Sequence, residues 1–217
     1  MAKFIASSNG FENFASRLGA NGVFSAAAFI GVMFTFLVVP VAMFVASQIS
    51  ASRTEEATGR LEITLAGPID RRRWVMARAL VAAAGGAIVA LTAGLMTWAG
   101  TALHGGGVPL TDMVKAGLNC MPVALTFYAL GVLTWAIQPR WTSTVAFGSV
   151  VVAFLLQLIG AVIKAPGLVL DLSPFHHFAP APAEPINGGA AVAMIVLFVA
   201  SVLAGAWLFR GRDLAPA

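Results

Sequence analysis

Residues 52–74 read SRTEEATGRLEITLAGPIDRRRW. Nine of the chain's 22 Lys, Arg, Asp and Glu residues fall in this stretch, which separates two long apolar runs. Ser52 followed three residues later by Glu55 matches a capping box, in which each side chain satisfies a backbone N–H at the start of a helix. Glu56 and Arg60 follow in the favourable i, i+4 order. Ala57, Leu61, Thr64 and Leu65 then share one face, opposite Glu55, Arg60 and Glu62, until Gly67-Pro68 ends the helix. The stretch therefore predicts a capped amphipathic helix of three to four turns lying flat on a membrane. Asp70 is placed to cap the next helix. That helix opens with Arg71, Arg72 and Arg73, whose charge opposes the macrodipole, so these arginines suit lipid headgroups or a partner better than they suit helix stability.

Working outward, the runs on either side are long and uncharged at their centres. About 20 apolar residues cross the hydrocarbon core as a helix, and five stretches qualify: 22–49, 74–103, 113–137, 142–163 and 189–209. The chain has 217 residues, 59% hydrophobic and 10% charged, with a mean hydropathy of +0.88, whereas soluble domains carry about 25% charged residues. Backbone polar groups in lipid must be satisfied within the segment or in a closed barrel, and uninterrupted apolar runs without two-residue alternation exclude the barrel. The sequence predicts an all-α, polytopic helical membrane protein in one transmembrane domain. Its remaining segments are an outer stretch 1–21, the charged segment 50–73, an outer Pro-rich loop 164–188 and a tail 210–217. Pro40 is expected to kink the first span, and residues 1–20 lack the apolar region and cleavage site of a signal peptide.

If segment 50–73 faces the cytoplasm, nine Lys and Arg residues lie inside and four outside (Lys3, Arg17, Lys115 and Lys164). The positive-inside rule then places the N-terminus outside and the C-terminus in the cytoplasm of a multi-pass plasma-membrane protein. Trp74, Trp98, Trp141 and Trp207 fall near span ends, where an amphipathic ring suits the interface. The second span carries Ala82, Gly86, Ala90 and Gly94 at fourfold spacing. Such a stripe of small residues lets another helix backbone approach closely, and Ser201 and Gly205 repeat it weakly in the last span.

Several chemistries are disfavoured. The net charge of +4 belongs to arginines beside apolar spans, which points to membrane topology and not to nucleic acid. All nine acidic residues lie in loops or at span ends, so ion coupling at depth has no titratable carrier; the polar groups at depth are Thr126, Tyr128 and Gln157, with Asn119 shallower. No Gly-Lys dipeptide occurs, so the chain has no P-loop and is predicted not to be an enzyme. Cys120 sits alone in an apolar run and reads as a buried apolar side chain. His176 and His177, near Asp171 and Glu184, lack the spacing of a metal site. Three readings of the charged segment stay open: a topology-setting loop, an interfacial helix, or a docking element for a cytoplasmic protein.

Three groups of residues carry a resemblance. The run Arg53-Thr54-Glu55-Glu56-Ala57-Thr58-Gly59-Arg60-Leu61-Glu62 continues into Leu65-Ala66-Gly67-Pro68-Ile69-Asp70-Arg71-Arg72-Arg73-Trp74. Later come Leu172-Ser173-Pro174-Phe175-His176-His177 with Pro180 and Pro182, and a last span ending Phe209-Arg210-Gly211-Arg212-Asp213-Leu214. With these motifs, and with the order of its spans over nearly its whole length, the chain resembles the membrane subunit of an ABC type-2 exporter, in particular actinobacterial permeases described as exporters of polyketide antibiotics. The resemblance implies that Arg53, Glu55, Glu56, Gly59, Arg60 and Glu62 belong to a cytoplasmic coupling helix docked on a nucleotide-binding ATPase subunit. It also implies that the loop bearing Ser173, Pro174, Phe175 and His176 is an outer, partly re-entrant element. ATP and magnesium would be bound by the partner, with no cofactor in this chain, and the cargo would be a hydrophobic or amphipathic small molecule. The family unit has six spans, so the five here correspond to helices 2 to 6 and imply a second permease half in the same bilayer. The contrasting expectation is a membrane scaffold that recruits a cytoplasmic protein without transporting anything.

Overall fold

The structure, a computed structural model, describes residues 26–103, 108–163 and 166–212. The expected outer segment 1–21, the first residues of span 22–49 and most of the 210–217 tail lie outside the described residues. Those that are described form helices joined by turns, with no strand among them. Five helical stretches are long and apolar enough to cross a membrane: Ala27–Ala57, Arg71–Leu103, Leu110–Ile137, Pro139–Gly160 and Gly188–Arg210. The protein is an all-α polytopic membrane protein.

Helix α1 (Ala26–Ala57) runs eight residues beyond the expected end of the first span and contains Pro40 without interruption. This overturns the capping box. An N-cap residue must leave helical geometry, but the chain reaches Ser52 already helical, and the Ser52 hydroxyl donates to the Gln48 carbonyl at 3.2 Å. Thr54 and Thr58 bond back in the same way to Ser50 and Thr54. The helix stops only at Gly59, whose φ of 72° lies in the left-handed region that favours glycine. The expected single amphipathic helix is therefore two pieces, the last turns of α1 and a six-residue α2 (Arg60–Leu65). Leu61 is buried beneath α2 while Glu62, Ile63 and Thr64 are exposed.

After Gly67-Pro68, Asp70 starts α3 (Arg71–Leu103), its carboxylate accepting from the Arg72 backbone N–H at 3.0 Å. Helix α4 (Leu110–Leu118) and helix α5 (Cys120–Ile137) form one span interrupted at Asn119. Pro122 accounts for the interruption: it has no N–H for the Leu118 carbonyl and its ring crowds that group. A 3-10 turn, Pro139–Trp141, leads into α6 (Thr142–Ile163). A short α7 (Gly167–Asp171) and a second 3-10 turn, Pro174–His177, precede α8 (Gly188–Arg210). The Asn187 side chain caps α8, accepting from the Ala190 N–H at 3.1 Å.

The core sits around α5, which packs against α1, α6 and α8. An all-round apolar helix belongs in the interior, and α5 buries Phe127, Tyr128, Val132 and Trp135 on its way across. The small-residue stripe of α3 lies inside: Ala82, Gly86, Ala90 and Gly94 are all buried. A Cβ on Gly86 would meet Val45 of α1 at 2.7 Å, and one on Gly94 would meet the Met113 carbonyl of α4 at 2.6 Å. Gly117 of α4 faces the Ala90 carbonyl in return.

Candidate functional site

The described arginines gather at one end of the bundle, and Lys115 lies at the other. Four chain segments meet at the arginine-rich end: the last turns of α1, the start of α3, the end of α5 and the exit of α8. Their centre is Glu56, whose side chain has no exposed surface. Its Oε2 accepts from the Trp135 indole N–H at 2.7 Å, and its Oε1 from Arg212 Nη2 at 2.5 Å. Arg53 Nη1 stands 3.7 Å from Oε2, one turn back on α1. Arg212 also donates through Nη1 to the Trp135 carbonyl at 3.1 Å, and its own carbonyl accepts from Arg71 Nη1 at 2.7 Å. Next to it, Glu55 pairs with Arg78 of α3.

Rings hold this network from the membrane side. Trp135 lies 4.4 Å from Phe209 and 5.7 Å from Trp74, centroid to centroid. The guanidinium of Arg212 stands 5.3 Å over Trp135 and 5.4 Å over Phe209, and that of Arg78 stands 5.3 Å over Trp74. Cations over desolvated ring faces are held by the ring quadrupole. Trp74 stands at a span end as expected and turns its ring into this cluster, whereas Trp141 and Trp207 are exposed.

Beyond the network projects the elbow, Thr58 to Asp70, with α2 at its tip. Arg60 and Glu62 are exposed there, and Ile63, 78% exposed, stands between polar neighbours. Of the six residues expected to contact a partner, Arg60 and Glu62 are on the outside and Gly59 supplies the turn. Glu55 and Arg53 face the internal network, and Glu56 is fully enclosed, so its side chain is no part of the outer surface. The expected Glu56–Arg60 pair is replaced, because the left-handed turn at Gly59 breaks the helical spacing that would join them. In the basic turn, Arg71 is engaged with Arg212 and Arg73 is exposed.

At the opposite end, the segment between α6 and α8 dips back into the bundle. The Ser173 hydroxyl donates to the Ala153 carbonyl at 3.0 Å, ten residues short of the end of α6 and so about 15 Å along its axis. Pro174 opens the 3-10 turn, and Phe175 is buried between Phe127 and Phe154 at 5.5 and 5.7 Å. His176 is exposed, its Nε2 3.7 Å from an Asp171 carboxylate oxygen. Asn119 Nδ2 donates to the Ala179 carbonyl at 2.9 Å, and the Pro180 carbonyl rests on Gly31 of α1. Sequence reasoning missed Trp135 and Arg212 as functional residues.

The fold and site thus define a class: a polytopic helical membrane protein whose described arginines lie at one end, around a polar elbow braced by a buried carboxylate. Residues 1–210 match the family described as multidrug efflux system permease Rv1217c, C-terminal domain, and the chain belongs to that family. It is 29% identical over 205 residues to the multidrug efflux system permease protein Rv1217c of Mycobacterium tuberculosis (strain ATCC 25618 / H37Rv). That alignment covers 91% of this chain and 36% of the relative, so the chain spans little more than a third of that protein's length.

Proposed function

We propose that this chain is a membrane-embedded part of an ATP-binding cassette exporter, moving a hydrophobic or amphipathic small molecule of the polyketide-antibiotic or drug-like kind outward. The energy comes from ATP, hydrolysed with magnesium in a nucleotide-binding partner that docks on the elbow from the cytoplasm. The observation that carries this reading is the elbow itself: a rigidly braced turn presenting Arg60, Glu62 and Ile63 to the outside. A loop that only set topology would need the arginines and no such brace. Family membership supports the permease role, since the relative is named a multidrug efflux system permease.

The arginine-rich end faces the cytoplasm on this reading, with Arg72 and Arg73 near anionic headgroups. Between the polar ends, the described spans offer apolar surface, and the neutral polar Thr126 and Tyr128 are buried within α5. That lining suits apolar cargo and gives no carrier for a coupling ion. A second permease half completes the pathway.

The enclosure of Glu56 moves the test to Arg60 and Glu62. Reversing both charges (Arg60→Glu, Glu62→Lys) abolishes efflux and co-purification of the ATPase while membrane insertion is retained. Undiminished efflux in that variant refutes docking through the elbow. Retained co-purification, together with an ATPase rate that apolar compounds never stimulate in the unaltered complex, establishes the scaffold reading instead.

A further inference from the structure

The network around Glu56 does something the docking surface cannot do alone: it ties that surface to two other helices. A carboxylate with no exposed surface is an expensive way to gain stability, because well-packed apolar groups of similar volume often do as well or better. What a satisfied buried ion pair supplies is one defined arrangement of the segments that provide its donors. Here those segments are α1 through Arg53, α5 through the Trp135 indole, and the exit of α8 through Arg212. The carboxylate also sits at the root of the elbow, since the Gly59 N–H that begins the turn donates to the Glu56 carbonyl at 3.1 Å. Among the described residues, Gly59 is the glycine held at positive φ. The same residue thus anchors the elbow through its backbone and holds α5 and α8 through its side chain. Arg212 does the reciprocal work, gripping Glu56, the Trp135 carbonyl and, through its own carbonyl, Arg71.

We infer that Glu56 and Arg212 are positioning residues that clamp the elbow to the ends of α5 and α8, so that a displacement of the elbow carries those two helices with it as one body. The inference rests on the proposed docking of a partner at the elbow, and deepens it by naming the joint through which a push there enters the bundle. Helix α6 lies outside the clamp. Its nearest tie to this end of α1 is an exposed hydrogen bond between the Ser50 and Ser143 hydroxyls at 3.0 Å.

The test uses the full chain in lipid nanodiscs in a Cys120→Ala background, with nitroxide labels on Ile69→Cys and Trp207→Cys, two exposed positions on the elbow and on α8. A second pair, Ile69→Cys and Val152→Cys, reports elbow to α6. Glu56→Gln keeps the size of the side chain and removes its charge, and Arg212→Lys keeps the charge and loses the two-pronged grip. Each is expected to broaden the elbow-to-α8 distance distribution about twofold, and the double variant to broaden it no further, as a shared joint requires. The elbow-to-α6 distribution and the exposed control Glu62→Gln stay as in the unaltered chain. Unchanged widths in both single variants, or additive broadening in the double, overturn the clamp. A second arm adds the nucleotide-binding subunit that co-purifies with the chain, with ATP and vanadate. If the elbow label moves while the α8 label stays in place, the clamp is overturned. If nucleotide moves neither label yet the clamp variants still broaden the distribution, the clamp stands and docking at the elbow is what fails.

Discussion

Adding one methyl group at Gly94 puts the packing of α3 on α4 to a direct test. The Cβ of a Gly94→Ala variant would stand 2.6 Å from the Met113 carbonyl oxygen, 3.3 Å from its carbon and 3.4 Å from Val114 Cα. All three are backbone atoms of α4, so no rotamer change relieves the clash, and the helices must part by about 0.8 Å to reach ordinary contact. Gly117 faces the Ala90 carbonyl in the same seam, so its close approach is lost at the same time. Overpacking of this kind costs about 1–3 kcal/mol, and an immovable backbone partner argues for the upper end. Helix propensity returns about 1 kcal/mol for exchanging glycine for alanine. The net is a destabilisation of about 2 kcal/mol, roughly a 30-fold loss in the folded-to-unfolded ratio. Gly148→Ala in α6, where no atom lies within 4 Å of the added carbon, serves as the control and is expected to be neutral or stabilising by up to about 1 kcal/mol. Reversible unfolding in mixed detergent micelles, followed by far-UV circular dichroism, measures both. If Gly94→Ala proves as stable as Gly148→Ala, then α3 and α4 do not touch through this stripe and the reasoning fails.

Three other outcomes follow from named contacts. Gly59→Ala places a Cβ in open space but at φ 72°, so it should cost about 1–2 kcal/mol of backbone strain, read in the same unfolding assay. Trp135→Phe preserves the ring cluster and removes the N–H that Glu56 accepts. Leaving that buried acceptor one donor short should destabilise by about 1–3 kcal/mol, whereas Trp207→Phe at the exposed end of α8 should change stability by less than about 0.5 kcal/mol. Asn119→Ala removes the bond to the Ala179 carbonyl, and hydrogen exchange at the backbone amides around Ala181 and Ala183 should accelerate roughly fivefold for a loss of about 1 kcal/mol.

The spans were legible because lipid leaves the backbone few options and a long apolar run is a helix; their ends were less so, since α1 passes Pro40, Arg53, Glu55 and Glu56 before it stops at Gly59. The small-residue stripe of α3 was legible for a related reason, since fourfold spacing fixes one face of a helix whatever packs on it. The capping box misled because Ser-x-x-Glu reports only on local geometry. Whether Ser52 begins a helix depends on the state of the chain behind it, and α1 arrives there intact. The partners of Glu56 could not be read at all. Trp135 lies 79 residues away and Arg212 lies 156 away, and nothing local distinguishes an arginine that pairs inward from one that stays in the headgroups. The motif Arg53-Thr54-Glu55-Glu56 was recognised as important, but its two glutamates serve the interior and the outward face falls to the residues after Gly59.

The two ends of the bundle are held by different physics, and this bears on where it can move. At the end with the loop between α6 and α8, helices meet through backbone against backbone, at Gly31 with Pro180 and at Gly94 with Met113, and through the buried ring of Phe175. Such contacts resist separation but tolerate sliding poorly, since a shift of a few tenths of an ångström already creates clashes or gaps. At the elbow end the contacts are guanidinium on carboxylate, indole on carboxylate and cation over ring. These are directional, and together they satisfy Glu56 in one arrangement of α1, α5 and the exit of α8. A force applied at the elbow therefore meets a joint that carries α5 and α8 with it, while the far end has only its packed state or an opened one.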